Sequence, residues 1–537
     1  MSNEKEEVKY VSYLDHQGEY KGIFAWIFST DHKRIALLYL YAIVTFFFVG
    51  AILGLMMRFE LAAPGETIVK PQTYNGLFTV HGVIMIFMVV IPGLSAVFGN
   101  FLLPLHIGAK DVAFPKLNRF SWWIFIVGSI MAILTQFLRE GPPDTGWTFY
   151  APYSTTTGTS VILATSAAFV LGFSSILTGL NFIVTIHRMR APGMKFFNMP
   201  LFPWSIYAAS WIQLLATPVV GITLIMLIFE RAFGIGFFDP QLGGDPLLFQ
   251  HLFWIYSHPA VYIMILPAMG VITEIIPTFC QQKVYGYKAI AISSLAIAGV
   301  GFLVWGHHMY TSGMSEQARW FFSFLTFVVA VPSAIKVFNW ILTMYKGSID
   351  VKPPFLYALF FIFLFIIGGT TGLILGSVAT NIQVHDTAFV VAHFHYIIFG
   401  GMGFAFFAAI HYWFPKIYGK MYNIKRANIA SIILFFGFNF LYFPQFIIGF
   451  QGMPRRYYDY LPEFQWAQII STVGGVLLFV AMIMMVVNLV KGAKKGEPAP
   501  ANPWKGSTLE WTIPSPPSLE NFDEDPVVKK NPYDYQS

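Results

Sequence analysis

The stretch VHDTAFVVAHFHY, residues 384–396, places His393 and His395 two positions apart inside an apolar segment. An imidazole inside a lipid bilayer is costly unless it is paired or ligates a metal, so such a histidine is a functional candidate. Residues i and i+2 of a helix point about 200° apart, so these two side chains cannot share one small site. They can serve two metals on opposite faces of one helix.

Four more histidines lie toward the ends of other apolar segments: His81, His258 and the adjacent pair His307 and His308. In SHPAVY, His258 and Tyr262 are i and i+4, so they stack on one helix face. Imidazole nitrogen suits copper and iron, whereas hard cations prefer oxygen. The pattern predicts two or more redox metals held inside a membrane.

The composition also indicates a membrane protein. Of the 537 residues, 56% are apolar and 11% are charged, against about 25% charged in a soluble domain; the mean hydropathy is +0.61. A bilayer core of about 30 Å needs roughly 20 apolar residues per helix. We therefore predict an all-α polytopic membrane protein, a bundle of about twelve transmembrane helices. The apolar stretches are approximately 35–57, 78–103, 119–138, 160–186, 205–232, 250–279, 288–309, 320–344, 355–378, 386–413, 428–450 and 466–490.

Three regions follow from this pattern: an N-terminal tail (1–34), the twelve-helix domain (35–490) and a C-terminal tail (491–537). The first tail is polar and does not resemble a cleavable signal peptide. The second is too polar to span again, and we expect Trp504 and Trp511 to order part of it on the cytoplasmic face. The single cysteine, Cys280, excludes an internal disulfide and thiolate metal clusters.

The placement of lysine and arginine predicts the orientation. With both termini in the cytoplasm, 25 basic residues lie inside and 7 outside, and Lys336 lies within an apolar segment. The net charge of +6 is then a signal of topology, and no nucleic-acid partner is implied. In this orientation all six histidines fall in the outer half of the membrane, at similar depth.

The six histidines suffice for two haems and one copper, because haem iron takes one or two axial histidines. His81 and His395 would bracket one haem iron, and His393 would hold a second iron with its far side open. His258, His307 and His308 would bind copper facing that open position. A diatomic molecule could bind and be reduced between the two metals.

Longer motifs extend this pattern, and through them the chain resembles subunit I of the haem–copper terminal oxidases, of the cytochrome c oxidase kind, over about residues 25–520. The motifs are STDHKRI (29–35), FTVHGVIMIF (78–87), GNFLLPLHIGAKDVAFPKLN (99–118), HPAVY (258–262), WGHHMY (305–310), VPSAIKVFNW (331–340), VHDTAFVVAHFHY (384–396), MPRRY (453–457) and NPWKGSTLEWTIPSPP (502–517). The resemblance implies the ligands given above, with haem A as the macrocycle. It also implies a covalent bond between Tyr262 and His258 and, as the activity, reduction of O₂ to water coupled to proton translocation.

The resemblance implies two proton pathways. Lys336 matches the lysine of the family's K-channel, with Ser333 and Thr273 at hydroxyl positions. Asp111 matches the mouth of the D-channel. The residues that match its polar lining are Asn100, Asn118, Ser174, Ser175 and Asn181.

The chain departs from the family pattern at the end of the D-channel. Many members read HPEVY, with a glutamate that passes protons onward, but here Ala260 takes that position. Tyr256 and Ser257 resemble a YSHP variant of the family, in which the tyrosine hydroxyl takes this role. Proton pumping is still expected, with a different terminal relay.

Further residues match peripheral sites of the family. His385 and Asp386 match a Mg²⁺ or Mn²⁺ site that a carboxylate of subunit II completes, and a histidine with one carboxylate alone would be a weak site. Arg455 and Arg456 match a pair that binds haem propionates, and Arg58 matches an arginine at a haem formyl group. Glu60 and Gly65 match part of a Ca²⁺ or Na⁺ site.

The electron donor is inferred from residues that are missing. Quinol-oxidising members carry four polar residues where this chain has Val49, Leu53, Thr73 and Gly76. The expected donor is therefore cytochrome c or a similar small redox protein, acting through the dicopper cupredoxin domain of subunit II. The resemblance also implies a subunit III, smaller membrane subunits and a place in the lipid of the cell inner (plasma) membrane.

Three alternatives remain at this point. A quinol oxidase or a nitric oxide reductase belongs to the same superfamily, although Tyr262 and Lys336 favour oxygen chemistry. A secondary transporter would use membrane lysine and histidine as proton sites, but no pair of broken segments in matching halves supports it. Four further histidines, expected to be helix–helix hydrogen bonders, are His106, His187, His251 and His411.

Overall fold

The computed structural model describes residues 10–15 and 20–535. Residues 1–9 and 16–19 of the predicted N-terminal tail, and 536–537 of the C-terminal tail, lie outside the described residues. In the described ranges the regular structure is helical, with three isolated β-bridges and no strand. The all-α fold of a multi-pass membrane protein is confirmed.

Twelve apolar helical segments, named α1 to α12 in chain order, form the bundle. Several extend beyond the apolar stretches because polar residues and prolines lead into them: Asp31 caps α1 by accepting a hydrogen bond from the amide of Arg34, and Pro71 and Pro246 begin α2 and α6. The segments are His32–Glu60, Pro71–Ile107, Pro115–Phe137, Val161–Arg188, Leu201–Phe233, Pro246–Cys280, Tyr287–Gly301, Glu316–Met344, Pro353–Gly376, Ala388–Tyr418, Ile424–Phe450 and Pro462–Lys495.

Three of these segments form the interior of the bundle. The most apolar windows of α6, α10 and α2 are 89%, 83% and 78% buried, whereas no other long segment exceeds 50%. This burial does not follow apolar character, since α10 has the lowest mean hydropathy of the long segments, 1.6, and α12 the highest, 2.6, with 39% burial. Lipid accepts an apolar helix face, so it is polar and ionisable side chains that turn a membrane helix inward. The inner three carry His258, His393 with His395, and His81, so the burial pattern brings most of the candidate ligands together.

The segment α7 differs from the expectation of one helix over 288–309. It is 15 residues long and ends at Gly301, and His307 and His308 lie on a separate 3₁₀ turn, Trp305–Met309. A side chain at Gly301 would come within 2.5 Å of the Tyr262 ring, so the chain leaves the helix where its backbone packs against that ring. The expected continuous helix is wrong beyond Gly301, and the two histidines reach the interior from a turn.

Two of the inner helices change their winding after a candidate ligand. The α2 segment is π-helical over Ile84–Val90, three residues after His81, and α10 is π-helical over Ile398–Gly403, three residues after His395. π-Helical turns are rare and occur frequently at functional sites. The two segments therefore mark the region around His81 and His395.

Both ends of the described chain meet on one face of the bundle. The amide of Tyr13 donates to the carbonyl of Pro517 over 3.1 Å. The α12 helix continues to Lys495, beyond the expected boundary at residue 490. The tail that follows is anchored on α10, since Trp504 Nε1 donates to the carbonyl of Tyr412 and Trp511 Nε1 to its hydroxyl. The three predicted regions stay a prediction.

Close packing of α11 on α12 depends on glycine, as is usual between membrane helices. A Cβ at Gly474 would lie 2.3 Å from the backbone nitrogen of Leu441. We expect Gly474→Ala to destabilise the protein by about 1–3 kcal/mol, because backbone atoms cannot move aside as a side chain can. Thermal unfolding in detergent should show a lowered midpoint. The matched control is Gly369→Ala, where a Cβ meets nothing within 4 Å; equal midpoints for both variants would contradict the packing argument.

Candidate functional site

One large cavity lies among the inner helices, with a volume of about 560 Å³. All six candidate histidines line it, with the arginines Arg58, Arg455 and Arg456 at its outer end. Apolar side chains such as Val89, Phe406 and Leu478 complete most of the wall. The cavity therefore combines an apolar enclosure with a small number of nitrogen donors, as cofactor pockets do.

His81 and His395 enter the cavity with one ring nitrogen already engaged. His81 Nδ1 donates to the carbonyl of Gly50 over 2.7 Å, and His395 Nδ1 donates to that of Val391 over 2.8 Å. Because a carbonyl only accepts, each Nδ1 carries the proton and each Nε2 keeps a free lone pair. This is the tautomer of a metal-ligating histidine whose second nitrogen is oriented by a backbone group.

A small residue makes room for the ring of His81, and an aromatic ring packs on His395. A Cβ at Gly54 would lie 3.2 Å from Cε1 of His81, so α1 approaches that imidazole closely. The ring of His395 stacks on Tyr442 of α11, with centroids 4.2 Å apart and planes 16° apart. Two buried imidazoles with free Nε2 atoms suit the axial positions of a haem iron.

His393 faces the opposite side of α10, against α9. Its Nδ1 lies 3.1 Å from the carbonyl of Gly368 and 3.1 Å from the hydroxyl of Thr371. A Cβ at Gly372 would lie 3.0 Å from its Cε1, so this glycine is also needed for space. The expected divergence of His393 and His395 is present: one contacts α9 and the other α11. Residues two apart on one helix thus serve two separate places.

His258, His307 and His308 meet on the other side of the cavity. One nitrogen of each lies within 4.8 Å of the others, the only such set of three potential ligands found among the described residues. His258 Nδ1 lies 3.1 Å from His308 Nε2. His307 Nδ1 donates to Thr326 Oγ1 over 3.0 Å, because that hydroxyl gives its own proton to the carbonyl of Phe322. Three neutral imidazoles with converging lone pairs form a donor set that suits copper.

Two neighbours of this triad were not singled out in the sequence. Trp254 stacks on His308 with ring centroids 3.6 Å apart and planes 5° apart, and Thr326 orients His307. Trp254 precedes His258 by four residues, a spacing that places both on one helix face. Thr326 lies on another helix, and nothing in its local sequence distinguishes it.

Tyr262 lies beside the triad as the i and i+4 spacing predicts. Its hydroxyl is 3.0 Å from Nε2 of His258. Nδ1 of the same ring faces the triad, so the tyrosine and the triad contact different nitrogens of His258. Tyr256 and Ser257 are buried and line the cavity beside Ala260. In the described part of the chain, Ser257 Oγ has no hydrogen-bond partner, so it is free to bind water.

The outer end of the cavity is cationic. Arg58 Nη2 donates to Gln468 Oε1 over 2.9 Å, and the Arg455 guanidinium lies 3.2 Å from Asp386. Burial, together with the charge of Arg455, lowers the pKa of Arg456 to about 9, so it stays a cation at neutral pH. A buried cation is stabilised by an anionic partner. Carboxylates of a bound cofactor would match this end of the cavity.

Neither of the two predicted hard-cation sites is complete. The site at His385 and Asp386 is open to solvent, and the Glu60 carboxylate of the other site already accepts hydrogen bonds. His385 Nε2 lies 3.6 Å from Asp386, whose side chain is 66% exposed, so a further ligand has to come from outside this pair. The carboxylate of Glu60 accepts from the amides of Thr67, Ile68 and Val69. The amide of Gly65 donates to Asp459. Neither pair belongs to a group of three ligands among the described residues.

The Lys336 side chain is buried and bonds to α7. Its Nζ donates to Ser294 Oγ over 2.7 Å and to the carbonyl of Ile290 over 3.3 Å. The other two expected hydroxyls bond elsewhere: Ser333 donates to Val329, and Thr273 accepts from Trp340 Nε1 over 2.9 Å. Ser294 was not foreseen, because its contact with Lys336 depends on how α7 packs against α8.

A second group of predicted polar residues lies on α2, α3 and α4. The amide of Asn118, Oδ1 of Asn100 and Oγ of Ser175 have no hydrogen-bond partner in the described ranges. Unpartnered buried polar atoms are usually bound to water. Ser174 and Asn181 are held, by Ser121 and by the backbone of Phe114. Tyr39 joins this group through Ser121 and Ser174, over 3.3 and 3.2 Å, and sequence reasoning missed it.

The four histidines outside this site all have partners. His187 bonds to Tyr207, His251 accepts from Trp305, and His411 donates to the carbonyl of Phe407. His106 pairs with Glu510 of the C-terminal tail over 3.1 Å. Only His187 joins two transmembrane helices as expected; His411 bonds within its own helix, His251 to the 3₁₀ turn and His106 to the tail.

Comparisons with known proteins point to one family. Residues 34–477 match the family described as cytochrome c and quinol oxidase polypeptide I. Cytochrome c oxidase subunit 1 of Synechocystis sp. is 45% identical, covering 95% of this chain and 92% of that protein. The same subunit of Thermostichus vulcanus is 42% identical, covering 98% and 95%. That of Bacillus subtilis is 42% identical, covering 95% and 82%.

A solved structure supports the fold. A haem-copper terminal oxidase dimer determined by cryo-electron microscopy superposes with a TM-score of 0.72 at 21% identity, covering 90% of this chain and 86% of that chain. The chain belongs to the family of cytochrome c and quinol oxidase polypeptide I, the catalytic subunits of haem–copper terminal oxidases.

Proposed function

We propose that this subunit reduces O₂ to water with electrons from cytochrome c, received through a dicopper subunit II, and couples the reaction to proton translocation. The observation that carries the proposal is the convergence of His258, His307 and His308 on the cavity that His393 also lines. The membrane is the cell inner membrane, with both termini in the cytoplasm. This orientation is supported by the 25 to 7 distribution of basic residues and by the contact of the two tails on one face.

The residues present fit two haems and one copper. His81 and His395 would hold a low-spin haem iron, His393 a high-spin iron, and the triad the copper. The positive charges of Arg455 and Arg456 would balance the haem propionates, and Arg58 would lie near a haem formyl group. Haem A is the expected macrocycle. When bound, these groups supply electron transfer and a place where O₂ is reduced.

The chain itself supplies the proton chemistry beside the triad. The Tyr262 hydroxyl, 3.0 Å from Nε2 of His258, is positioned to give a proton and an electron beside that histidine. The apolar lining limits the water that reaches this point. The covalent bond between Tyr262 and His258 stays a proposal, which the contact of the two side chains supports.

Two routes deliver protons from the cytoplasmic side. Lys336, held by Ser294, lies on the route that leads toward Tyr262, and Thr273 and Ser333 belong to its lining. The second route begins at Asp111. It continues past Asn118, Asn100, Ser174 and Ser175. Asn181 supports the loop that carries Asp111. Tyr256 and Ser257 complete it in place of the glutamate that Ala260 replaces, and the unpartnered Ser257 hydroxyl supports this role.

The peripheral proposals concern partners. His385 and Asp386 would bind Mg²⁺ or Mn²⁺ when a carboxylate of subunit II completes the site, and the exposure of Asp386 supports a ligand from outside. Subunit III and smaller subunits are further expected partners. The Ca²⁺ or Na⁺ site at Glu60 and Gly65 stays a prediction, since backbone amides already occupy the Glu60 carboxylate.

Loss of one triad histidine tests the metal assignment. We expect the complex with His307→Ala to contain one copper fewer and to keep both haems. Its O₂ consumption should fall by more than about 100-fold, because losing even a residue that hydrogen-bonds a metal ligand costs about 10–100-fold in metal affinity or activity. Copper analysis and a reduced-minus-oxidised spectrum measure this. The matched control is His187→Ala, outside the site. Unchanged copper in His307→Ala would refute the assignment of copper to the triad.

A separate measurement on the parent complex tests the rival activity. NO consumption that exceeds O₂ consumption would indicate a nitric oxide reductase.

Removal of the Lys336 ammonium tests the first proton route. We expect Lys336→Met to slow turnover by roughly 10²–10⁴-fold, the usual contribution of a positioned proton donor. Both haems should remain, because Lys336 touches none of their ligands. Lys425→Met, the same substitution at an exposed lysine at the start of α11, is the matched control and should turn over as the parent complex does. Equal turnover of Lys336→Met and the parent complex would contradict the route.

The acidity of Asp111 predicts how turnover depends on pH. Burial, with the charge of Asp31 beside it, raises the Asp111 pKa to about 7, while Lys33 and two backbone amides act in the opposite direction. The carboxyl is therefore protonated below about pH 7 and ionised above it. We expect turnover limited by this route to fall as the pH rises through about 7, and Asp111→Asn to be slow without that step. Asp350→Asn, on an exposed loop, should match the parent. A step near pH 7 that persists in Asp111→Asn would exclude Asp111 as its origin.

A further inference from the structure

The C-terminal tail reaches the proton-uptake region through one buried asparagine. Asn521 is 2% exposed and adopts a φ of +65°, in the left-handed region that asparagine tolerates better than most residues. The antiparallel bridge of Ser12 with Ser518 and the bond from Tyr13 to Pro517 fix the chain just before it. Asn521 is thus held in an uncommon conformation that directs its amide into the protein.

The Asn521 side chain connects three parts of the molecule. Its Nδ2 donates to the carbonyls of Ala109 and Lys110, over 2.9 and 3.0 Å, and lies 2.9 Å from Nε2 of His32. Its Oδ1 accepts from Lys33 Nζ over 2.6 Å. One amide therefore joins the tail, the start of α1 and the loop between α2 and α3. Such a fully bonded buried group fixes the relative positions of its partners.

The loop that Asn521 holds carries Asp111. The loop begins at Gly108, whose φ of +74° ends α2. Its far side is fixed by Thr185, which accepts from the Ala113 amide over 2.8 Å, and by Asn181, which accepts from that of Phe114. Asp111 lies between these two attachments. Without Asn521 the near attachment would consist of packing, the bond from Ala109 to Pro104 and the hydrogen bond of the His32 amide to the Asp111 carboxyl.

The same asparagine also reaches the second residue of the route. His32 Nδ1 donates to the backbone carbonyl of Asn100 over 2.7 Å. Its Nε2 shares the two hydrogens of Asn521 Nδ2 with the carbonyls of Ala109 and Lys110. The charged neighbours of Asp111 in this region are Asp31 and Lys33, which pair with each other over 2.8 Å. Asn521 thus bonds to the loop of Asp111, to the cation beside it and, through His32, to the backbone of Asn100.

We propose that Asn521 is a positioning residue for proton uptake, holding the loop of Asp111 in register with Asn100 and Lys33. The inference rests on the proposed role of Asp111 as the mouth of the proton route. It makes the C-terminal tail part of the uptake apparatus. Asn521 touches no substrate and acts through the residues it bonds.

The variant Asn521→Gly removes the side-chain amide and leaves the backbone conformation allowed, because glycine adopts a positive φ without strain. The matched control is Lys505→Gly, an exposed tail residue whose φ is +58°. A second variant, Asn521→Asp, keeps an acceptor for Lys33 but cannot donate to Ala109 and Lys110. Asp111→Asn serves as the benchmark. Each would be studied in the intact complex, with haem and copper content measured.

We expect both Asn521 variants to keep their haems and copper and to slow turnover by up to about 100-fold, the cost that a misplacement of about 1 Å can carry. The pH step near 7 should move or vanish in both, as in Asp111→Asn, while Lys505→Gly keeps it. A role limited to folding would reduce the amount of complex and leave the pH step of the assembled fraction unchanged.

Three results would overturn the inference. If Asp111→Asn is slow but both Asn521 variants behave as Lys505→Gly does, Asn521 does not position the loop, and the proposed function stands. If the variants lose haem or complex while the surviving fraction keeps the parent pH profile, Asn521 has only a structural role. If Asp111→Asn itself turns over normally, the role of Asp111 is wrong and the inference falls with it.

Discussion

The bundle depends on the requirement that both nitrogens of a buried imidazole be satisfied where no bulk water is available. His81 and His395 each donate the Nδ1 proton to a backbone carbonyl. His393 donates its Nδ1 proton to the Gly368 carbonyl, with the Thr371 hydroxyl beside it. Each leaves its Nε2 pointing into the cavity with an unused lone pair. The protein therefore builds half of each site by itself, and the other half requires a metal. This explains why glycines lie beside His81 and His393, since any side chain there would displace a ring.

The sequence predicted most of this site because its geometry is local. Spacings of two and four residues define faces of one helix, so the divergence of His393 from His395 and the contact of Tyr262 with His258 follow from helical geometry alone. Apolar length predicted about twelve spans; the described residues contain eleven helices long enough to cross a membrane and the 15-residue α7. Which segments lie inside was not predicted, because the apolar length of a segment does not say whether it faces lipid or protein.

What the sequence did not predict depends on packing between distant elements. Ser294 bonds to Lys336, and Thr326 to His307, because particular helices face each other. The end of α7 at Gly301 depends on the ring of Tyr262, which is 39 positions earlier in the chain. Trp504 and Trp511 order the tail as expected, whereas the docking of Asn521 into a buried position was not predicted. Periodicity describes one element at a time and carries no information about such partners.

The placement of His393 and His395 on one helix has a consequence for the two proposed iron centres. Helical rise offsets them by about 3 Å along the axis, and only Phe394 separates them in the chain. If each histidine holds an iron, both centres would be attached to one helix, so a shift of α10 within the bundle would move them together. The outer helices could then change to accommodate new partner subunits while the two centres keep their common attachment.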